Sequence, residues 1–477
     1  MKKNFLTAAA IMVVGFFVAT EIAQAADVNF SGQIRTRYEA DGKSGGGNAF
    51  TNTHDDDFFA TRVRLNANVN INDSTSAFIQ MQSARNWGNN IDGAGSIANG
   101  GGSGSGSFTG SDTDASVGLH QAYFTLKNFA SLPVDLKMGR QEVVLDGHRL
   151  FGHTGWTTGA QTHDAIRLDH KGGNHQLTYA FVKGNEEART SDVNDFDDID
   201  VHLVRGNLQG ILGGNLSLYA VYVQDGCATD GVAGGANCNN IENDIITLGF
   251  RQAGQLFGID YRGEYYWQGG EADGDATRVT TLNYAGGSNG SARNIDRDAY
   301  MFGVRIGKKF NNVAMKPSLT VWYDELSGTD DSDINSADYG TFNTLFDTGH
   351  KFYGHMDLFT NNVTLGTQAL GLTDLAIKGS LQPMPGWTIK AAYHWFGTEV
   401  DPNANGLAAN SGNLQGETGL DDDLGEELDI AIIHKYNANT VISAGWSQFS
   451  SERLASLQNQ RITPTADWAY VQFDVKF

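Results

Sequence analysis

Along this chain about eighteen segments of roughly ten residues alternate apolar and polar side chains, and their connections are short and long in strict turn. The segments fall near 28–40, 58–71, 75–85, 117–128, 132–144, 162–170, 175–184, 197–209, 214–224, 242–252, 257–267, 297–310, 313–323, 371–382, 386–398, 426–436, 439–449 and 467–477. Short turns such as Asn72-Asp73-Ser74, Lys171 to Asn174, Asn311-Asn312 and Asn437-Ala438-Asn439 alternate with long connections at about 41–57, 86–116, 145–161, 185–196, 225–241, 268–296, 324–370, 399–425 and 450–466. One rim of the folded chain therefore carries turns and the other carries loops. A soluble sandwich or propeller has no reason to keep that asymmetry throughout, whereas a transmembrane barrel does, with turns in the periplasm and loops outside. The predicted fold is all-β: one antiparallel barrel of about eighteen strands.

The last segment supports closure. Val471, Phe473 and Val475 share one face with Ala469 and the terminal Phe477, while Gln472, Asp474 and Lys476 take the other. Such a strand needs a partner, and the segment at 28–40 supplies it without an open edge, placing Tyr470, Gln472, Asp474 and Lys476 beside Arg35 and Arg37. An aromatic last residue at Phe477 looks like the signal read by the barrel-assembly machinery. At the other end, Lys2 and Lys3 precede an apolar run from Phe5 to about Ala19, and Ala23-Gln24-Ala25 is a small-x-small pattern, so residues 1–25 are expected to be a cleaved signal peptide and 26–477 the barrel. The run is too short for an anchoring helix, and no later run approaches the roughly 20 apolar residues a spanning helix requires. No Pro-rich linker or change of texture divides the remainder.

Side-chain parity assigns the charges. In the second segment Val63, Leu65, Ala67, Val69 and Ile71 form one face, so Arg62 and Arg64 take the other with Asn66, Asn68 and Asn70. A charge facing lipid near the midplane costs about 2–4 kcal/mol, which turns the arginines inward. The first segment agrees, with Arg35, Arg37 and Glu39 inward, and the same reasoning assigns Arg167, Asp169, Asp200, His202, Arg205, Arg251, Asp260, Arg262, Glu264, Arg305, Lys378, Lys390, Glu427 and Asp429 to the lumen. Two readings of the arginines stand. They attract anions through bidentate pairing, or they neutralise inward carboxylates. Arg35, Arg37, Arg62 and Arg64 have too few acidic neighbours in their own two strands for full neutralisation, which makes anion selectivity the sharper expectation. Tyr265, Tyr266, Trp267, Trp322, Tyr323, Tyr393, Trp395 and Trp446 lie near strand ends, as interface girdles or as filling for the lumen.

The formal charge of −22, about −23 once Lys2, Lys3 and Glu21 leave with the signal, excludes nucleic acid as a partner. Much of the acidity sits in loop clusters: Asp55-Asp56-Asp57, Asp195 to Asp200, Asp330-Asp331-Ser332-Asp333 and Asp421-Asp422-Asp423. These suit solvated loops, with shared divalent cations as the alternative. Cys227 and Cys238 flank one loop, where an exported protein would form a disulfide. His148, His153 and His163 with Asp146 and Asp164 lack ligand spacing for a metal, and no Cys-x-x-Cys-His for haem, nucleophile elbow or nucleotide loop is present. No cofactor and no catalysis are expected.

Three stretches resemble the alginate-export family of outer-membrane porins: Lys137 to Arg149 (KMGRQEVVLDGHR), Phe346 to Asp357 (FDTGHKFYGHMD), and Gly425 to Tyr436 (GEELDIAIIHKY) with Gly445 to Phe449 (GWSQF). The resemblance implies an eighteen-stranded monomeric barrel, and the best-known member passes an acidic polysaccharide through an arginine-lined constriction. It places Arg140 and Glu142 near the constriction, where a break in alternation after Gly139 would re-aim a side chain inward. It also lets the Gly349 to Asp357 motif fold back over or into the pore. One departure is the very short turn at Asn437 to Asn439, where the alginate exporter has a long plugging turn. The expectation is an outer-membrane channel, embedded in lipid and lipopolysaccharide, for passive passage of anionic or polar solutes, including export of acidic oligo- or polysaccharide. The alternatives are a barrel sheathing a partner such as a periplasmic electron carrier and, third, a barrel enzyme.

Overall fold

The computed structural model describes residues 26–42, 56–87, 117–185, 199–225, 243–278, 294–359, 367, 369–401, 422–451 and 465–477. The expected signal peptide, the Cys227–Cys238 disulfide and Asp55, Asp195, Asp197, Asp198 and Asp421 of the acidic clusters lie outside them, while the cluster Asp330 to Asp333 is described. The strands are β1 (Asp27–Asp41), β2 (Asp56–Asn70), β3 (Thr75–Asn86), β4 (Gly118–Leu126), β5 (Asp135–Gln141), β6 (His163–Lys171), β7 (His175–Asn185), β8 (Ile199–Ile211), β9 (Gly214–Asp225), β10 (Ile245–Leu256), β11 (Ile259–Glu271), β12 (Asp296–Lys309), β13 (Ser318–Leu326), β14 (Asp338–Tyr339), β15 (Leu372–Leu381), β16 (Trp387–Gly397), β17 (Asp423–Lys435), β18 (Thr440–Ser450) and β19 (Thr465–Lys476). Apart from the two-residue β14, which sits in a loop, each pairs antiparallel with its sequence neighbours, and β19 pairs with β1 to close an eighteen-stranded wall. Every backbone polar group of the wall is thus offered a neighbour, the condition for crossing lipid with strands.

The seam brings the expected residues together: Arg35 opposes Asp474, Arg37 opposes Gln472 and Glu39 opposes Tyr470. Ile34, Leu65, Ile79, Leu218, Leu248, Ile306, Val321, Ile432 and Val471 stand exposed on the outside as an apolar belt. Arg35, Arg37, Arg62 and Arg64 are buried on the inside. Of the aromatics, Tyr265, Trp267, Trp395 and Trp446 project outward, while Tyr266 and Trp322 are buried in the lumen.

Two segment ends differ from expectation for identifiable reasons. Residues 313–317 belong to a turn, in which the Phe310 N–H donates to the Pro317 carbonyl at 2.8 Å, so β13 starts late. β5 stops at Gln141, and beyond it the apolar positions switch parity: Met138 faces outward, whereas Val143 and Leu145 bury inside the barrel rather than against lipid. The same inversion corrects two lumenal assignments. Val201 and Leu203 are fully buried inside, so Asp200 and His202 point outward, where Asp200 pairs with Lys183 at 3.1 Å and His202 meets the Tyr179 hydroxyl at 3.0 Å. Apolar residues turn inward here because Val143, Leu145 and Phe151 of an inward-folded loop supply a hydrophobic surface for them.

Replacing the outward Leu65, 46% exposed, by Arg is expected to cost about 2–4 kcal/mol, whereas Asn68→Arg on the inner face has little effect. Urea unfolding from lipid vesicles measures the difference, and equal costs would contradict the assigned faces.

Candidate functional site, a basic chamber beneath two inward loops

The connection 142–162 between β5 and β6 crosses the lumen. Each crossing point is made by wall charge. Arg64 of β2 lies 3.5 Å from Glu142, which also meets His120 at 3.3 Å. Asp146 receives the Arg205 guanidinium of β8 (Nε to Oδ2, 2.9 Å) and the Tyr219 hydroxyl of β9. Arg149 reaches Glu264 of β11 (3.3 Å) and Asp324 of β13, and donates to the Tyr353 hydroxyl. Finally Arg35 donates to the carbonyls of Gly155 (2.7 Å), Trp156 (2.9 Å) and Thr157 (2.9 Å), Arg37 to Trp156 (2.7 Å) and Arg62 to Gly155 (3.2 Å). Strands β1/β2 and β11/β13 lie on opposite sides of the ring, so the loop is a strut across the barrel.

The connection 327–371 packs on this strut. Phe151 and Phe346 form a backbone bridge, and the Gly152 N–H donates to Phe346 at 2.8 Å. Its segment around Gly349–Lys351 places Phe352 and Tyr353, both fully buried, against Trp322 and Arg149. Trp156 of the strut stacks on His350 at 4.2 Å and lies beneath Arg37.

Desolvation controls protonation in these loops. Burial pushes the His148 imidazole down to about 4, helped by Lys351 and His153. Burial likewise takes His355 to about 4 against the pull of Asp429. Burial raises the Asp347 carboxyl to about 8, although Arg149 opposes the rise. For Asp146 burial also pushes upward, but the hydrogen bonds from Arg205 and Tyr219 win and hold it below the usual carboxylate range. Arg149 is fully buried, yet Asp324, Tyr353 and Glu264 overcome the desolvation penalty and hold it firmly protonated.

Beneath the strut lies a chamber of about 770 Å³, lined among others by Arg35, Arg62, Arg64, Lys351 and Lys476. Its side-chain carboxylates are Glu142 and Asp474. A second cavity of about 260 Å³ shares His350 and Lys351 and adds Lys378, Lys390, His355 and Asp429. The expected lumenal cations thus divide between those that face cavities and those engaged with partners. Arg35, Arg62, Arg64 and Lys390 face cavities. Arg37, Arg205, Arg262 and Arg305 are engaged with partners: Arg37 with Glu39 (2.5 Å), Arg205 with Asp146, and Arg262 and Arg305 with Glu264 and Asp324 (3.5 and 3.2 Å). Arg167 is paired with Asp169 at 2.7 Å, and Lys378 both faces the smaller cavity and donates to the Phe352 carbonyl at 3.3 Å.

Arg140 departs from expectation. It shares the face of the outward Met138, and its half-exposed guanidinium pairs with the exposed Asp164 at 3.0 Å, away from the constriction. Gly139 has φ +123°, but a Cβ there would strike the Ala122 carbonyl oxygen at 2.3 Å, so the glycine serves close strand packing and leaves parity unbroken. The histidines do not converge. His148 and His153 are neighbours, with rings 5.2 Å apart, while His163 packs on Phe151 and Phe346. Among the described residues no group of His, Cys, Asp and Glu is arranged to hold a metal ion. Parity gave no warning of Lys351, His350 or Trp156, which reach the chamber only because their loops fold in; the family-like FDTGHKFYGHMD stretch was the one hint for the first two.

A family model described as alginate export matches residues 26–451. Among solved structures, the chain is similar to Pseudomonas aeruginosa OccK9 (OpdG), at 11% identity and a TM-score of 0.55 over 95% of this chain and 99% of that one. It is also similar to P. aeruginosa OccK8 (OprE), at 12% identity and a TM-score of 0.54 over 94% and 98%. A third, P. aeruginosa OccK2 (OpdF) in complex with glucuronate, aligns at 11% identity and a TM-score of 0.50 over 94% and 98%. No curated protein matches the sequence.

The perturbed loop groups set a pH window for docking. The docked His148 and His355 titrate near 4 and free histidine near 6.5, so an undocked loop binds more protons as pH falls below about 6.5, and acid releases it. Asp347 acts oppositely: docked it keeps its proton to about 8, undocked it loses it near 4, so docking weakens as pH rises toward 8. Single-channel conductance is expected to be lowest between these limbs, and Asp347→Asn to abolish the alkaline rise. A wild-type conductance independent of pH would contradict this.

Proposed function

Because the chain belongs to the alginate export family and its wall is that of a bacterial outer-membrane porin channel, we propose that it passes anionic solutes passively, with carboxylated sugars as the preferred class. The observation that carries this reading is the composition of the larger chamber: five basic side chains, Arg35, Arg62, Arg64, Lys351 and Lys476, face the side-chain carboxylates of Glu142 and Asp474. Low-dielectric walls focus that excess positive potential on the passage. Arg35 and Arg62 hold only carbonyl and amide oxygens, so their charge is not cancelled by a direct ion pair. The chamber's size, within the roughly 300–1,000 Å³ usual for small-molecule sites, suits a monosaccharide or short oligosaccharide. The complex of the similarly folded OccK2 with glucuronate favours a uronate-like ligand.

Export of acidic oligo- or polysaccharide is the family-based extension of this reading. Longer chains require the strut or its neighbour to move, since the two loops occupy the lumen. A protein sheathed by the barrel would have to displace both loops, which makes the sheath the weaker alternative.

Reversal potentials in planar bilayers under a salt gradient test the proposal. The wild type is expected to prefer anions, and Arg35→Ala with Arg62→Ala to reduce that preference several-fold while the barrel still folds. Cation preference in the wild type would overturn it.

A further inference from the structure

The segment following Gly349–Lys351 is fastened to the wall at one buried carboxyl. Glu427 of β17 is inaccessible to solvent, and its Oε1 accepts the backbone N–H of His355 at 2.7 Å and of Met356 at 2.9 Å. Gly354, with φ +81°, lies directly on this carboxyl: a Cβ there would fall 2.4 Å from Oε1. Glycine is therefore required on two counts, its left-handed backbone and the closeness of its approach. Among the described residues no cation is ion-paired with this carboxyl, and its side-chain neighbour is the Asp429 carboxyl, which lies within hydrogen-bonding reach. A buried carboxyl whose partners are two backbone donors and a second carboxyl is costly unless the position of that backbone matters.

The segment it fixes carries the groups that line the smaller cavity: Lys351, His350, Phe352, Gly354 and His355. Lys351 also lines the larger chamber. We propose that Glu427 is a positioning residue for permeation, holding residues 351–356 against β17 so that both the width of the passage and the charge presented by Lys351 depend on it. This rests on the anion-channel reading for its effect on selectivity, though not for its effect on conductance.

The test separates hydrogen-bond geometry from charge. Glu427→Gln keeps a carbonyl acceptor for His355 and Met356 and supplies an N–H toward Asp429, so its conductance and reversal potential are expected to match the wild type. Glu427→Ala removes the acceptor, and a several-fold rise in single-channel conductance with loss of anion preference is expected. Gly354→Ala leaves Glu427 in place but forces the backbone off it, and should reproduce the Ala phenotype even where Glu427→Ala does not fold. Folded barrels are first identified by their altered migration in unheated detergent gels. A Gln variant behaving like the Ala variant, or wild-type conductance in both Glu427→Ala and Gly354→Ala, would overturn the assignment. A cation-selective wild type that still shows the Ala/Gln contrast in conductance would refute the anion reading alone.

Discussion

A guanidinium that cannot face lipid must find oxygen inside the barrel. That constraint organises the molecule, because the apolar belt turns the wall arginines inward, apart from Arg85 and Arg140, while the wall itself offers too few acceptors. The shortfall is met by backbone and carboxylates brought in by the loop 142–162. Arg35, Arg37 and Arg62 take carbonyls of Gly155, Trp156 and Thr157, Arg205 takes Asp146, and Arg149 delivers the loop's own cation to Glu264 and Asp324 on the far wall. Anchored around the ring, the strut creates a floor for the loop 327–371, and the two bury Phe151, Phe342, Phe352, Tyr353 and Met356 inside what would otherwise be open lumen.

Under the proposed function, structure and selectivity are drawn from the same residues. Arg205 holds the loop carboxylate Asp146, while Arg262 and Arg305 share the wall carboxylates Glu264 and Asp324 with Arg149 of the loop. Arg35 and Arg62 are bound through neutral oxygens, which fixes their position without cancelling their charge, and so leaves positive potential at the chamber wall. An arginine can thus be both anchor and selectivity element when its partners are dipoles rather than anions.

The sequence made the wall legible. All eighteen wall strands coincide with segments showing period-two alternation, and parity brings the inward faces of β1 and β19 together as expected. Legibility failed where the premise that apolar means lipid-facing failed. At Asp200 and His202, and past Gln141, apolar side chains face a lumen packed with loop residues, so the same alternation reads with its faces reversed. Arg140 was misplaced by resemblance; in β5 it shares the face of the outward Met138. The chamber residues Lys351, His350 and Trp156 were beyond reach of local pattern, since their positions depend on contacts spanning more than a hundred residues.

Current block by a small uronate tests the central claim most directly. Added to the periplasmic side at equal concentration, glucuronate is expected to interrupt single-channel current through the wild type with resolvable dwell times, and neutral glucose is not. Equal block by the two sugars, or none by glucuronate, would contradict a chamber whose uncancelled arginines recognise anions.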